Sequence, residues 1–194
     1  MLLLQFIGYP PILAYTTQIF QASNVGLDMY TSTILTSIGM LVGAIVYTLI
    51  VDYVGRIALF IWPMIGCCLS LICLGAFFLC KDVNMDLSNF SFVPATAITS
   101  YSFLTAIGMA SILLLRNEGF ATEVRSVSIA ATYAVLHMGA FVSCQVYPVM
   151  IESLGYVATY WFYASVTVVA ILQVLATLSE TRGKSIDVNI TSSK

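Results

Sequence analysis

The residues able to do chemistry in this chain are few and unevenly placed. The stretch V-D-Y-V-G-R-I at 51–57 puts Asp52 and Arg56 four residues apart around Gly55. An acid and a base at that spacing can pair, and a glycine can take the φ > 0 backbone that a tight helix-to-helix turn needs. Opposite charges recur at Glu118, Glu123 and Arg125, and again at Glu180 and Arg182. His137 is the single histidine and lies inside an apolar run. An ionisable group there reads as a solute contact or a proton carrier, or else as a neutral imidazole hydrogen-bonded to a neighbouring helix. No H-E-x-x-H, G-x-S-x-G or paired carboxylates within an apolar run occur, so no catalytic residues are expected. The cysteines Cys67, Cys68, Cys73, Cys80 and Cys144 fall in apolar runs, with no C-x-x-C pair beside other ligands. They read as small hydrophobes, with no metal and no cofactor implied.

The elements that must position these groups follow from composition. Hydrophobic residues make up 60% of the 194 residues and charged residues 8%, against about a quarter charged in a soluble domain. Mean hydropathy is +0.98. The chain reads as an integral membrane protein in contact with lipid, and without a basic cluster it implies no nucleic-acid partner. A helix needs about 20 apolar residues to cross a bilayer. Six such runs occur, near 2–21, 31–51, 57–80, 92–115, 126–151 and 157–178. Alternation is absent, and an open sheet would leave backbone groups unpaired in lipid, so the fold class is all-α, six transmembrane helices. The first run carries Pro10-Pro11 at its centre. That pair removes two backbone donors and is expected to kink or break the helix at a depth where irregular backbone lines a cavity or is a structural bend. The run has no charged leader or cleavage pattern of a signal peptide.

With six spans and both termini on one side, Arg56, Arg116, Arg125, Arg182, Lys184 and Lys194 share that side and only Lys81 lies opposite. The bias makes that side cytoplasmic. The loops 22–30, 81–91 and 152–156 then face outward, and the sequon at Asn89 lies among them as a weak glycosylation site. Residues 1–178 read as the membrane domain and 179–194 as a cytoplasmic tail. The charged groups Asp52, Arg56, Glu118, Arg125, Glu180 and Arg182 fall at three cytoplasmic helix ends. They either anchor those ends or form a network that can hold that side of the bundle closed.

These segments carry a resemblance. V-D-Y-V-G-R resembles L-V-D-R-x-G-R-R, and the stretch from Glu118 to Ser126 resembles E-x-F-P-x-x-x-R-G/S. The stretch from Ser179 to Ser185 resembles P-E-T-K/R-G-x-S. Gln5-Phe6-Ile7-Gly8 with Tyr15 and Ile19-Phe20 is similar to Q-Q-x-S-G-x-N-x-x-x-Y-Y-x-x-x-I-F. In that order, over nearly the full length, they resemble helices seven to twelve of a sugar porter of the major facilitator superfamily. Within it, the chain is similar to insect facilitated trehalose and glucose transporter-like proteins. The resemblance implies half of a twelve-helix bundle, an N-terminal six-helix half as partner, a plasma-membrane location, and alternating access for a small solute such as a sugar. It also implies an inner gate at Asp52, Gly55, Arg56, Glu118, Arg125, Glu180 and Arg182.

The departures lie where that family contacts sugar. Leu4 and Pro10 stand at a glutamine and an asparagine of helix seven, Met40 at the asparagine of helix eight, and Met109 to Leu113 at G-P-x-P-W of helix ten. Leu136-His137 stands at the asparagine-tryptophan pair of helix eleven. Hydroxyls taken out of water need buried partners. The polar residues left for that task are Gln5, Tyr15, Thr105 and His137. No acid sits mid-span to form a proton relay, which favours facilitated diffusion. The alternative is a truncated or non-transporting membrane protein that associates with a full-length transporter.

Overall fold

The apolar runs form the expected helices, because a backbone in lipid must satisfy its hydrogen bonds within the segment. The computed structural model describes residues 5–23, 29–55, 57–85, 90, 92–118 and 125–181, with the side chains of 29, 115–118, 125 and 177–181 outside the description. The elements are α1 (Tyr9–Ala14), α2 (Thr16–Ser23), α3 (Met29–Ile50), α4 (Ala58–Asp82), α5 (Val93–Glu118) and α6 (Arg125–Thr181). Among the described residues all regular structure is helical.

Among the described residues four stretches are long and apolar enough to cross a membrane, namely Tyr30–Ile50, Ala58–Asp82, Val93–Leu114 and Ser126–Ala176. The last of these doubles back. Gly155 leaves helical geometry at φ 79° and ψ 172°, and the Tyr147 and Tyr160 hydroxyls lie 3.2 Å apart. Thirteen residues of straight helix would separate them by about 20 Å. The chain therefore reverses near Gly155, and α6 is two antiparallel arms, as the runs near 126–151 and 157–178 lead one to expect.

The first run differs from its expectation. It is two short helices of 6 and 8 residues, interrupted at Gly8 (φ 95°) and again at Tyr15. The first interruption falls where the proline pair acts, since Pro10 and Pro11 have no N–H for the carbonyls of Phe6 and Ile7 and the helix cannot run through them. Pro10 and Pro11 occupy the first turn of α1, where N–H groups have no intrahelical acceptor and the fixed φ suits a helix start. The break falls at Gly8 because only a glycine tolerates that backbone there. A Cβ on it would stand 2.8 Å from the Tyr163 ring. Gly55 also departs from expectation. The glycines with positive φ among the described residues are Gly8 and Gly155, since the end of α3 winds on through Tyr53 N–H and Val54 N–H, both donating to the Ile50 carbonyl.

Packing runs α3 to α5 to α4 to α6, with α1 and α2 closing the gap between α6 and α3. Small residues let the backbones approach, the usual device where lipid supplies no hydrophobic contrast. Gly39 of α3 faces Thr99, and Gly43 lies against the Phe103 carbonyl of α5. Gly66 of α4 receives Leu104, Gly108 of α5 receives Met64, and Gly75 of α4 receives Trp161 of α6. Lys81 Nζ donates to the Ala22 carbonyl, which ties the ends of α4 and α2 together.

Candidate functional site

Tyrosines tie the first segment to the other helices. Tyr101 of α5 is buried, and its hydroxyl donates to the Ile7 carbonyl at 3.2 Å, just before the Gly8 break. Tyr9 Oη meets Met40 Sδ at 3.9 Å, linking α1 to α3. Thr16 Oγ1 occupies the carbonyls of Ile12 (2.6 Å) and Leu13 (3.0 Å) at the second break. Tyr15 stacks on Tyr147 at 5.1 Å and donates to the Cys144 carbonyl at 3.4 Å. Behind it, Tyr147 lies parallel to Tyr163, and Phe78 of α4 stacks on Tyr156 (4.5 Å) and Tyr160 (5.6 Å). The aromatic stack thus runs from the break at Tyr15, through both arms of α6, into α4.

Of the four candidate solute contacts, Gln5 is buried at the start of this assembly and Tyr15 is half-buried at its second break. Thr105 lies elsewhere. It is fully buried between α5 and α4, with its hydroxyl 2.7 Å from the Tyr101 carbonyl and 3.2 Å from Cys67 Sγ. His137 is exposed on the first arm of α6, and its hydrogen bond stays within that helix. Its Nδ1 lies 2.7 Å from the Tyr133 carbonyl of its own helix. A carbonyl cannot donate, so Nδ1 carries the hydrogen and Nε2 faces outward. Gln145, two turns further along, is exposed as well.

Grooves of about 340 and 280 Å³ run along α4, the first lined by Cys73, Phe77, Cys80 and Val93, the second by Cys68, Trp161 and Ser165. None of the four candidates lines either groove. All five cysteines are free thiols, with Cys67 buried and Cys68 packed against the core, as the small-hydrophobe reading expects, while Cys73 is exposed along α4. Asp52 and Gly55 are exposed after α3. Arg56, Asn89 and Arg182 lie outside the described residues, as do the side chains of Glu118, Arg125 and Glu180, whose backbones belong to the ends of α5 and α6.

The sequence reading missed Tyr101, Tyr147, Tyr160 and Tyr163. Their one signal was the density of tyrosine near 147–163, in helices with no need of hydroxyls for hydropathy.

Comparison with known proteins agrees with this architecture. Residues 1–189 match the family described as "Sugar (and other) transporter". The facilitated trehalose transporter Tret1 of Apis mellifera ligustica is 28% identical over 184 residues, covering 94% of this chain and 36% of that relative. Tret1 of Drosophila mojavensis is 26% identical over the same share of this chain and 21% of its own length. The Tret1-2 homolog of Drosophila simulans is 27% identical, with 38% of its length covered. The chain therefore spans between a fifth and two fifths of the length of these curated relatives. No solved structure matches it. With its apolar helices and this kinship, the chain is an integral, multi-pass membrane protein. It belongs to the sugar (and other) transporter family.

Proposed function

We propose that this chain supplies the C-terminal, six-helix half of a facilitative, sugar-porter-like transporter. In this reading it works by alternating access against an N-terminal six-helix half. The family match along residues 1–189 carries the reading, and the relatives' names make trehalose the first solute to test. The exposed face of α6 supports it. His137 sits about 18 Å along the first arm, near mid-membrane. An outward imidazole nitrogen and the Gln145 amide are costly against hydrocarbon. Both become satisfied if this face meets the solute path and the partner half. Of the four candidates, Gln5 and His137 remain the proposed solute contacts, since the Tyr15 hydroxyl is engaged by the Cys144 carbonyl and Thr105 is sealed between α4 and α5.

Residues 1–178 form the membrane domain in this reading, 179–194 the cytoplasmic tail, with both termini cytoplasmic and the plasma membrane as the site of action. Asp52, Gly55, Arg56, Glu118, Arg125, Glu180 and Arg182 form the cytoplasmic gate. Each exposed pair contributes only about 0.2–1 kcal/mol, so closure comes from several together.

The alternative, a non-transporting chain associated with a full-length transporter, draws support from Pro10, Met40 and Leu113 at positions where sugar porters carry polar contacts. Uptake of radiolabelled trehalose and a panel of hexoses separates the two readings. The chain in liposomes by itself should carry none, and cells expressing it with an N-terminal half should show saturable uptake. No uptake in either setting would sink the transport reading. In the transporting cells Arg56→Ala should change the rate. Unchanged rates for Arg56→Ala, Glu118→Ala and Glu180→Ala alike would reduce the charges to helix-end anchors.

A further inference from the structure

The hydroxyl of Tyr15 donates to the carbonyl of Cys144 at 3.4 Å. In an α-helix that carbonyl takes its hydrogen from the N–H four residues further on. Four residues on from Cys144 stands Pro148, inside α6, and proline has no N–H. Pro148 therefore opens a gap in the hydrogen-bond ladder of α6, and the hydroxyl that fills it comes from the residue where α1 ends and α2 begins. The ring of Tyr15 is stacked on Tyr147, the residue before the proline. The other end of α1 meets the same helix, since Gly8 lies under the ring of Tyr163. Both ends of the short α1 are thus seated on α6, one on each arm.

We propose that Tyr15 is a positioning residue. It docks the broken first segment onto the carbonyl left open by Pro148, so that the segment and the proline-bearing arm behave as one body. Inside a span no bulk water can serve an unpaired carbonyl, which makes the donor matter at this depth. The docking stands on geometry alone, and only its consequence for uptake rests on the transport reading.

A double-mutant cycle tests it in the full chain in lipid bilayers, read by hydrogen–deuterium exchange of the segment 9–20. Tyr15→Phe keeps the ring and deletes the hydroxyl, and should speed exchange there about tenfold. Pro148→Ala gives α6 its own N–H for Cys144, and in that background Tyr15→Phe should leave exchange unchanged. No effect of Tyr15→Phe in the native background, or an equal effect in both, overturns the proposal. Should Tyr15→Phe fail to fold, the double variant must recover the fold, and a failure of both overturns it as well.

Trehalose uptake in cells that also express the N-terminal half gives the second readout. Tyr15→Phe should lower the maximal rate at constant KM, and Pro148→Ala should abolish that sensitivity. A raised KM at constant maximal rate would make Tyr15 a solute contact instead and overturn the positioning role. Exchange coupling without any uptake by the native protein would uphold the docking and refute transport of trehalose.

Discussion

Gly8 is held by two constraints that a side chain cannot meet together. Its φ of 95° lies in the left-handed region, and a Cβ would stand 2.8 Å from Tyr163 Cδ2 and 2.9 Å from its Cγ. The backbone term alone costs about 1–2 kcal/mol for an L side chain. The ring cannot retreat freely, since Tyr163 is buried and stacked near Tyr147. Gly8→Ala should therefore lower unfolding stability in detergent by about 2 kcal/mol or more. A loss below about 0.5 kcal/mol, the scale of an ordinary surface change, would show that neither constraint is real. The same reading of particular atoms separates residues that looked alike in sequence. Thr105 and His137 were both polar groups in apolar runs, yet one is fully buried between α4 and α5 and the other is exposed on α6. Residue type gave their chemistry, while helix rotation, which sequence polarity left ambiguous in all-apolar runs, gave their surroundings.

Helix pairs are set by where small residues fall. Gly39 and Gly43 recur at four-residue spacing on α3, and the backbone of α5 fills the groove they leave, with the Phe103 carbonyl lying against Gly43 and Ala106 Cβ 3.2 Å from where a Cβ would sit. A methyl group added at Gly43 meets backbone that cannot rotate away. Gly43→Ala should cost about 1–3 kcal/mol by overpacking. Gly55→Ala is the matched control, because nothing lies within 4 Å of it, and its stability should be unchanged. Equal melting temperatures for the two variants would contradict the close α3–α5 packing. The spacing of Gly39 and Gly43 was visible in the sequence, but α5 as the partner was not, because α4 and α6 also carry apolar faces able to receive it.

At the scale of the whole molecule, the bond from Lys81 to the Ala22 carbonyl brings the C-terminal ends of α2 and α4 together. Asp52 follows the C-terminal end of α3 and Arg125 starts α6, each one helix length along the bundle from the Lys81 end. The excess of Lys and Arg on the side away from Lys81 makes that side cytoplasmic in the proposed orientation. A cysteine at Asp86 should then react with an impermeant thiol reagent in intact cells, in a background where the five native thiols are replaced. Labelling only after permeabilisation would invert the orientation.

The amino-acid sequence by itself determined the class, the helical state, the approximate extent of α3, α4 and α5, and the two arms of α6. Each of these follows from local hydropathy and from the rule that backbone in lipid must bond within its own segment. The family was legible too, through short charged motifs spread along the chain. The tertiary structure decided how the first run is interrupted, with a left-handed turn at Gly8 just before Pro10-Pro11 and a second break at Tyr15. The prolines stop the preceding turn and start the next helix, and the ring of Tyr163 rules out a side chain at Gly8 between them. It also decided the pairing of Tyr15 with the carbonyl that Pro148 leaves open, across 129 residues of chain. Such a contact depends on the rotation and register of two separate helices, and local hydropathy carries no record of either.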